Sequence, residues 1–149
     1  MVRWSRLGGS GRRFLEHMSD VYVEAYGPTM EEAFKEAGLA LFDVISDTRD
    51  VRPDIEREVC AEGFDMESLL YNWLEQLLLL FDLDGFLASE IIVHGIERSG
   101  ENLRIRATVR GERFDPSRHK HGIGIKSVTY ALMEIVEDEV KRVRFVLDI

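Results

Sequence analysis

Val21-Tyr22-Val23-Glu24-Ala25-Tyr26-Gly27-Pro28-Thr29-Met30-Glu31-Glu32-Ala33-Phe34 decides the fold class, because its hydrophobic period changes from two to that of a helix within one short stretch. Val21, Val23 and Ala25 alternate with Tyr22, Glu24 and Tyr26, the pattern of a strand with one buried and one solvated face. Gly27 and Pro28 end the strand. Thr29 with Glu32 three residues on predicts a capping box, in which each side chain satisfies the other residue's backbone N–H. Met30, Ala33, Phe34, Ala37, Leu41, Val44 and Ile45 then fall on one helical face. A strand feeding directly into an amphipathic helix places the chain among mixed α and β folds.

Working outward, Ser46 to Pro53 is polar and turn-rich, and Ile55, Arg57, Val59 and Ala61 alternate with acids and Cys60 as a second strand. Asp65 is a good N-cap for a second helix running to about Phe81, with Leu69, Leu70, Trp73, Leu74 and Leu77 as its apolar face and Asp82, Asp84 and Gly85 as its end. Phe86 to Ile96 and Leu103 to Val109 predict a hairpin around Ser99 and Gly100, with Arg104, Arg106 and Arg110 pointing outward. A polar loop from Phe114 to Gly124 leads to a strand over Lys126 to Val136. A last strand spans Val140 to Ile149, burying Val143, Phe145 and Leu147. Upstream, Gly8, Gly9, Ser10 and Gly11 read as a linker, so residues 1–13 are expected to be a flexible lead and residues 14–149 the domain. The expectation is an α+β fold: two helices packed on mainly antiparallel sheet, in one compact domain.

Bulk properties narrow the function. A chain of 149 residues has room for one sizeable core. Cys60 is the only cysteine, which excludes an internal disulfide and a cysteine-based zinc cluster. The longest apolar run, Leu77 to Phe81, is too short to span a bilayer, and no apolar signal segment precedes a cleavage site, so a cytoplasmic address without membrane contact is expected. The net charge of -9 is unevenly spread: residues 14–97 hold 20 acids against 4 bases, while residues 1–13 and 98–149 are net basic. Such an acidic surface repels the phosphate polyanion and suits a basic protein or a hard cation, so no DNA partner is expected.

Phosphate-binding loops, dinucleotide fingerprints, nucleophile elbows and HExxH are all absent. Three clusters of chemistry-bearing residues stand out. Glu16, His17 and Asp20 precede the first strand, with Asp20 on the face of Tyr22 and Glu24. Asp148 and Ile149 close the last one, Ile149 offering a carbonyl and, if it is the native end, a terminal carboxylate. Carboxylates at the ends of neighbouring strands can converge on a hard cation. On spacing alone the simpler reading is preferred, with Asp20 capping a turn and Asp148 solvated. Asp115, His119, Lys120, His121 and Lys126 form the third cluster. His-x-His in an extended segment would put both rings on one side for a transition metal, whereas in a glycine-flanked loop the two are more often exposed polar residues, and Asp115 with Arg118 could equally make a local surface ion pair. Arg104, Arg106, Arg110 and Arg113 read as a solvated strand face, because no exposed aromatics are interleaved with them for stacking RNA bases.

Five segments, in order, resemble the archease family: Phe14-Leu15-Glu16-His17-Met18-Ser19-Asp20-Val21; Thr29 to Asp47; Ser68-Leu69-Leu70-Tyr71-Asn72-Trp73-Leu74-Glu75; Gly111-Glu112-Arg113-Phe114-Asp115 with His119 and Ile125-Lys126-Ser127-Val128-Thr129-Tyr130; and Leu147-Asp148-Ile149. The resemblance covers residues 14–149. Met18 and Ser19 depart from the family's commoner Thr-Ala or Thr-Pro. It implies an accessory protein, not an enzyme. Such a protein activates the RtcB-type RNA ligase of tRNA splicing by promoting ligase guanylylation and multiple turnover, and meets tRNA only through the ligase. It also implies a metal site of Asp20, Asp148 and Ile149 holding a divalent cation, calcium first and magnesium or manganese as alternatives, which reverses the preference from spacing. Glu16 and His17 are then expected to support that site, and His119 and Lys126 to contact the ligase. A metal-dependent phosphoesterase or nuclease, and a general chaperone, are the competing expectations.

Overall fold

The computed structural model describes residues 9–15 and 20–149. Its first strand, β1 (Gly11–Leu15), lies antiparallel to β2 (Val21–Gly27), pairing Gly11 with Tyr26 through Leu15 with Tyr22. Gly11, Arg12 and Arg13, expected in a flexible lead, thus belong to a strand. Arg12 explains why. Its Nε donates to Asp43 Oδ2 at 2.7 Å and its Nη1 pairs with Glu36, so β1 is tied to the helix that follows β2.

That helix, α1 (Met30–Ile45), starts where the sequence predicts, with Thr29 Oγ1 accepting from Glu32 N–H at 3.1 Å. The return half of the box does not form: the Glu32 carboxylate pairs with Lys35 at 2.7 Å instead. A single 3₁₀ turn (Thr48–Asp50) then leads to β3 (Ile55–Gly63). Helix α2 (Met66–Asp84) is capped by a reciprocal box between Asp65 and Ser68 and runs a turn beyond the expected end at Phe81. Gly85 stops it, at a φ of 66° that a side chain would disfavour. Strands β4 (Phe86–Ser99) and β5 (Asn102–Arg113) form the long hairpin.

Two antiparallel sheets result. One has the order β3–β5–β4. The other runs β1–β2–β8–β6, with β6 (Ser127–Val128) and β7 (Glu134–Glu137) both lying on β8 (Lys141–Asp148). The strand expected over Lys126 to Val136 is therefore broken. Val128 faces Leu147 and Glu134 faces Arg144, so six steps on one strand answer three on the other, and the surplus leaves the sheet as a loop. Helix α1 touches both sheets, and α2 lies on the three-stranded sheet while reaching β6 and β7. Phe34, Phe42, Trp73, Phe86 and Phe145 fill the space between, all essentially inaccessible. Among the described residues no helix is long and apolar enough to cross a membrane.

One face of β2 departs from the simple alternation. Glu24, expected in solvent, is 0% exposed. It sits directly opposite Arg13 on β1 and Arg144 on β8, accepting from their Nε atoms at 2.8 and 2.6 Å. A buried carboxylate held between two guanidinium groups contributes little net stability, but a one-residue slip of either strand would strand the charge, so it specifies register. The outward arginines of β5 behave as solvated strand residues with acidic neighbours: Arg106 pairs with Glu97 and Arg110 with Glu56, each at 2.8 Å.

Candidate metal centre

The ladder between β2 and β8 begins with Val21 opposite Leu147, so Asp20 and Asp148 are the next residues on each strand. Opposed residues of an antiparallel pair share a face, and side chains alternate between faces. Leu147 is 0% exposed and points into the core, which places Asp148 and its neighbour Asp20 on the opposite face. Both aspartates are half-buried, as is Ile149. On the far side of β8, Ser127 faces Asp148, and Lys126 N–H donates to the Asp148 carbonyl at 2.7 Å. Folding thus brings the first and last segments of the domain to one end of one sheet, with the exposed Lys126 beside them.

Two carboxylates from adjacent strands, with main-chain oxygens at Ile149, are an all-oxygen donor set of the kind hard divalent cations take. Among the described residues, no three His, Cys, Asp or Glu side chains gather closely enough to cage an ion. Such oxygens suit an open calcium or magnesium site, whose remaining positions water or a partner's oxygens would complete. Glu16 and His17, expected to support Asp20, lie outside the described residues.

Beside Asp20 opens a groove of about 540 Å³, lined also by Phe14, Tyr22, Asp43, Lys120, His121 and Ile123. Its far wall is the loop from Asp115 to Gly124, docked on the end of α1. Gly122 and Ile123 donate their N–H groups to the carbonyls of Ile45 and Val44 at 3.0 and 2.9 Å, satisfying two acceptors that the helix terminus leaves open. Ser46 Oγ donates to the Lys120 carbonyl at 2.7 Å. No motif announces this groove in the sequence, because it exists only once that loop meets the helix.

His119 lies inside the loop and not on its surface. It is buried, 4% exposed, with Nδ1 accepting from Asp115 N–H at 2.8 Å, so the neutral ring carries its proton on Nε2, 3.0 Å from Glu112 Oε2. Both nitrogens are hydrogen-bonded within the chain, so His119 organises the loop. His121 is exposed and lines the groove, whereas His119 is buried, and both ring centroids lie 6.0 Å from that of Phe114. Arg118 pairs with Glu112, while Asp115 accepts from Ser117 N–H and Oγ, so the expected Asp115–Arg118 pair is replaced.

Glu112 is the hub of this loop. Burial alone would raise its carboxyl, but hydrogen bonds from Arg52 N–H, His119 and Arg118 outweigh burial and hold it below the usual carboxylate range. A carboxyl depressed by folding contributes stability above its unfolded value and loses that contribution as pH falls through its folded value. Glu112→Gln is expected to cost about 1–3 kcal/mol at pH 7, the scale for hydrogen bonds to a charged group. The deficit should be smaller at a pH below the usual carboxylate range, as the pH falls through the lowered folded value of Glu112. Urea denaturation at both pH values checks this, and an equal deficit at both would contradict it.

The fold and site define a small α+β domain that brings two aspartates to neighbouring strand ends of one sheet. The Archease protein family (MTH1598/TM1083) matches residues 13–149. The chain is 44% identical over 135 residues to protein archease of Aeropyrum pernix, covering 90% of this chain and 94% of that one. It is 40% identical to protein archease of Pyrococcus furiosus, covering 80% and 84%. Its fold matches the solution structure of protein 1598 from Methanobacterium thermoautotrophicum with a TM-score of 0.82 at 36% identity, over 93% of this chain and 99% of that one. An archease from Thermotoga maritima, described as a possible chaperone, shares the fold with a TM-score of 0.57 at 21% identity, over 91% and 94%. This chain belongs to the archease family.

Proposed function

We propose that this protein is an accessory activator of an RtcB-type RNA ligase in tRNA splicing, promoting guanylylation and repeated turnover of the ligase while catalysing nothing alone. The observation that carries the reading is the placement of Asp20 and Asp148 at neighbouring strand ends, on one face, with Asp20 lining the groove beside them. A divalent cation bound there would supply positive charge and open coordination positions for oxygen ligands of the partner's site. The chain's own part is to hold the carboxylates. The β2–β8 ladder fixes their spacing, and β6 braces Asp148 through Lys126 N–H. Lys126, exposed beside them, would meet the docked ligase on this reading. The protein operates in the cytoplasm on this reading, and tRNA is met only through the ligase.

The test is multiple-turnover joining of RNA ends bearing a cyclic phosphate and a 5′-hydroxyl by the cognate ligase, with wild-type protein, Asp20→Asn or Asp148→Asn. Wild type should stimulate turnover, either substitution should reduce stimulation about tenfold or more, as expected for losing a coordinating ligand, and the protein alone should join or cleave nothing. Calcium titration by calorimetry should show heat with wild type that both variants lack. Equal stimulation by all three proteins would sink the cation mechanism, and no stimulation by wild type would sink the activator role itself.

A further inference from the structure

The loop that interrupts the edge strand between β6 and β7 is built at a cost to the sheet. Residues 129–133 leave the β8 ladder, and Leu132 adopts a φ of 54°, a left-handed conformation that a bulky side chain rarely takes. Strain of this kind persists where the surrounding structure imposes it and marks candidate functional segments. What the excursion achieves is the display of two side chains: Tyr130 is 53% exposed and Leu132 55%. Tyr130 lies flat on Tyr71 of α2, ring centroids 4.4 Å apart and planes 6° from parallel. One face of the stack is closed by Tyr71, and the solvent-exposed Tyr130 presents the other side.

Charge decides what such a platform takes. Along α2, Glu67 and Glu75 stand one turn either side of Tyr71, and both are exposed. Partial burial, then Tyr71, Asp65 and Glu75, push the Tyr130 phenol up, so the acids act on this ring. A nucleic-acid base would stack on the tyrosine but bring its phosphate into a ring of carboxylates. A guanidinium also stacks flat on an aromatic face, and its charge is complementary to that rim.

We propose that Tyr130, stacked on Tyr71 and rimmed by Asp65, Glu67 and Glu75, is a docking platform for an arginine-bearing basic segment of a partner protein. It uses none of the residues of the cation site and stands independently of the ligase reading.

The experiment is an amide-shift titration of the full chain by NMR with an eight-residue peptide of alternating arginine and glycine, its lysine counterpart, and a uridine octanucleotide. The arginine peptide should shift resonances around Tyr71, Glu75 and Tyr130, with the lysine peptide binding several-fold more weakly because ammonium does not stack. Tyr130→Phe should keep the affinity, and Tyr130→Leu, which keeps bulk but removes the ring, should lose about tenfold. Both variants sit on the surface and are expected to fold. Undiminished binding by Tyr130→Leu, equal binding of the two peptides, or tighter binding of the oligonucleotide at these residues would overturn the proposal.

Discussion

Trp73→Ala is expected to lower the stability of the fold by about 3–5 kcal/mol, the range for emptying a buried aromatic site. The indole is 0% exposed and donates from Nε1 to the Phe34 carbonyl at 2.9 Å, joining α2 to α1 through the core. Close packing leaves the lining no means of refilling the space without moving a helix. Trp73→Phe separates the terms, because it retains a ring but drops the donor and part of the volume. About 1–2 kcal/mol is expected for it. Chemical denaturation measures both. A loss for Trp73→Ala under about 1 kcal/mol would mean that the two helices do not depend on this contact, against the usual cost of such cavities.

Trp73 also shows what was readable in advance. Its place in a Leu69–Leu77 apolar stripe behind an Asp65 cap is a local pattern, and local patterns located both helices and the β4–β5 hairpin. Glu24 shows the opposite. Alternation assigns it to the outer face of β2, and it is on that face, yet Arg13 and Arg144 cover it from strands at opposite ends of the chain. Period-two patterning names the face of a residue and not what lies over that face. The β6–β7 break was hidden for a related reason. Residues 126–136 have enough β-branched and aromatic character for one strand, and only the register imposed by β8 expels the middle of it.

The candidate site divides the same way. Asp20 and Asp148 were placed on the outward faces of their strands by alternation, but strand adjacency is a topological fact that spacing alone leaves open, and resemblance to a family supplied the pairing. A glycine-flanked polar loop suggests solvent, and nothing local signals that His119 is buried. Burial of the ring depends on Glu112 and Asp115 turning their partners toward it. Lys120, His121 and Asp43 share a groove wall through tertiary docking, for which no local signal exists.

Gly111→Ala should be at least as damaging as the loss of Trp73, for a different reason. Gly111 lies opposite Ala88, at the point where β4 bulges before Glu90, and a Cβ there would stand 1.7 Å from the Leu87 carbonyl oxygen and 2.7 Å from its carbon. These are backbone atoms of the neighbouring strand, so no rotamer change relieves the clash. Strand β4 must move off β5, in the sheet that both helices use as their floor. The expected cost is at or above about 3 kcal/mol, the upper part of the range for overpacked sites. Gly95→Ala is the matched control on the same strand pair, since its nearest neighbour is the flexible Glu97 carboxylate at 3.1 Å, which can swing away. Gly95 is buried, but only the end of an exposed side chain has to give way, so the effect should stay under about 1 kcal/mol. Thermal unfolding of the two variants side by side makes the comparison. Equal behaviour would show that the approach of β4 to Gly111 is not a fixed feature of the fold, whereas a collapse confined to Gly111→Ala would identify this contact as the one that sets how closely the hairpin closes beneath the helices.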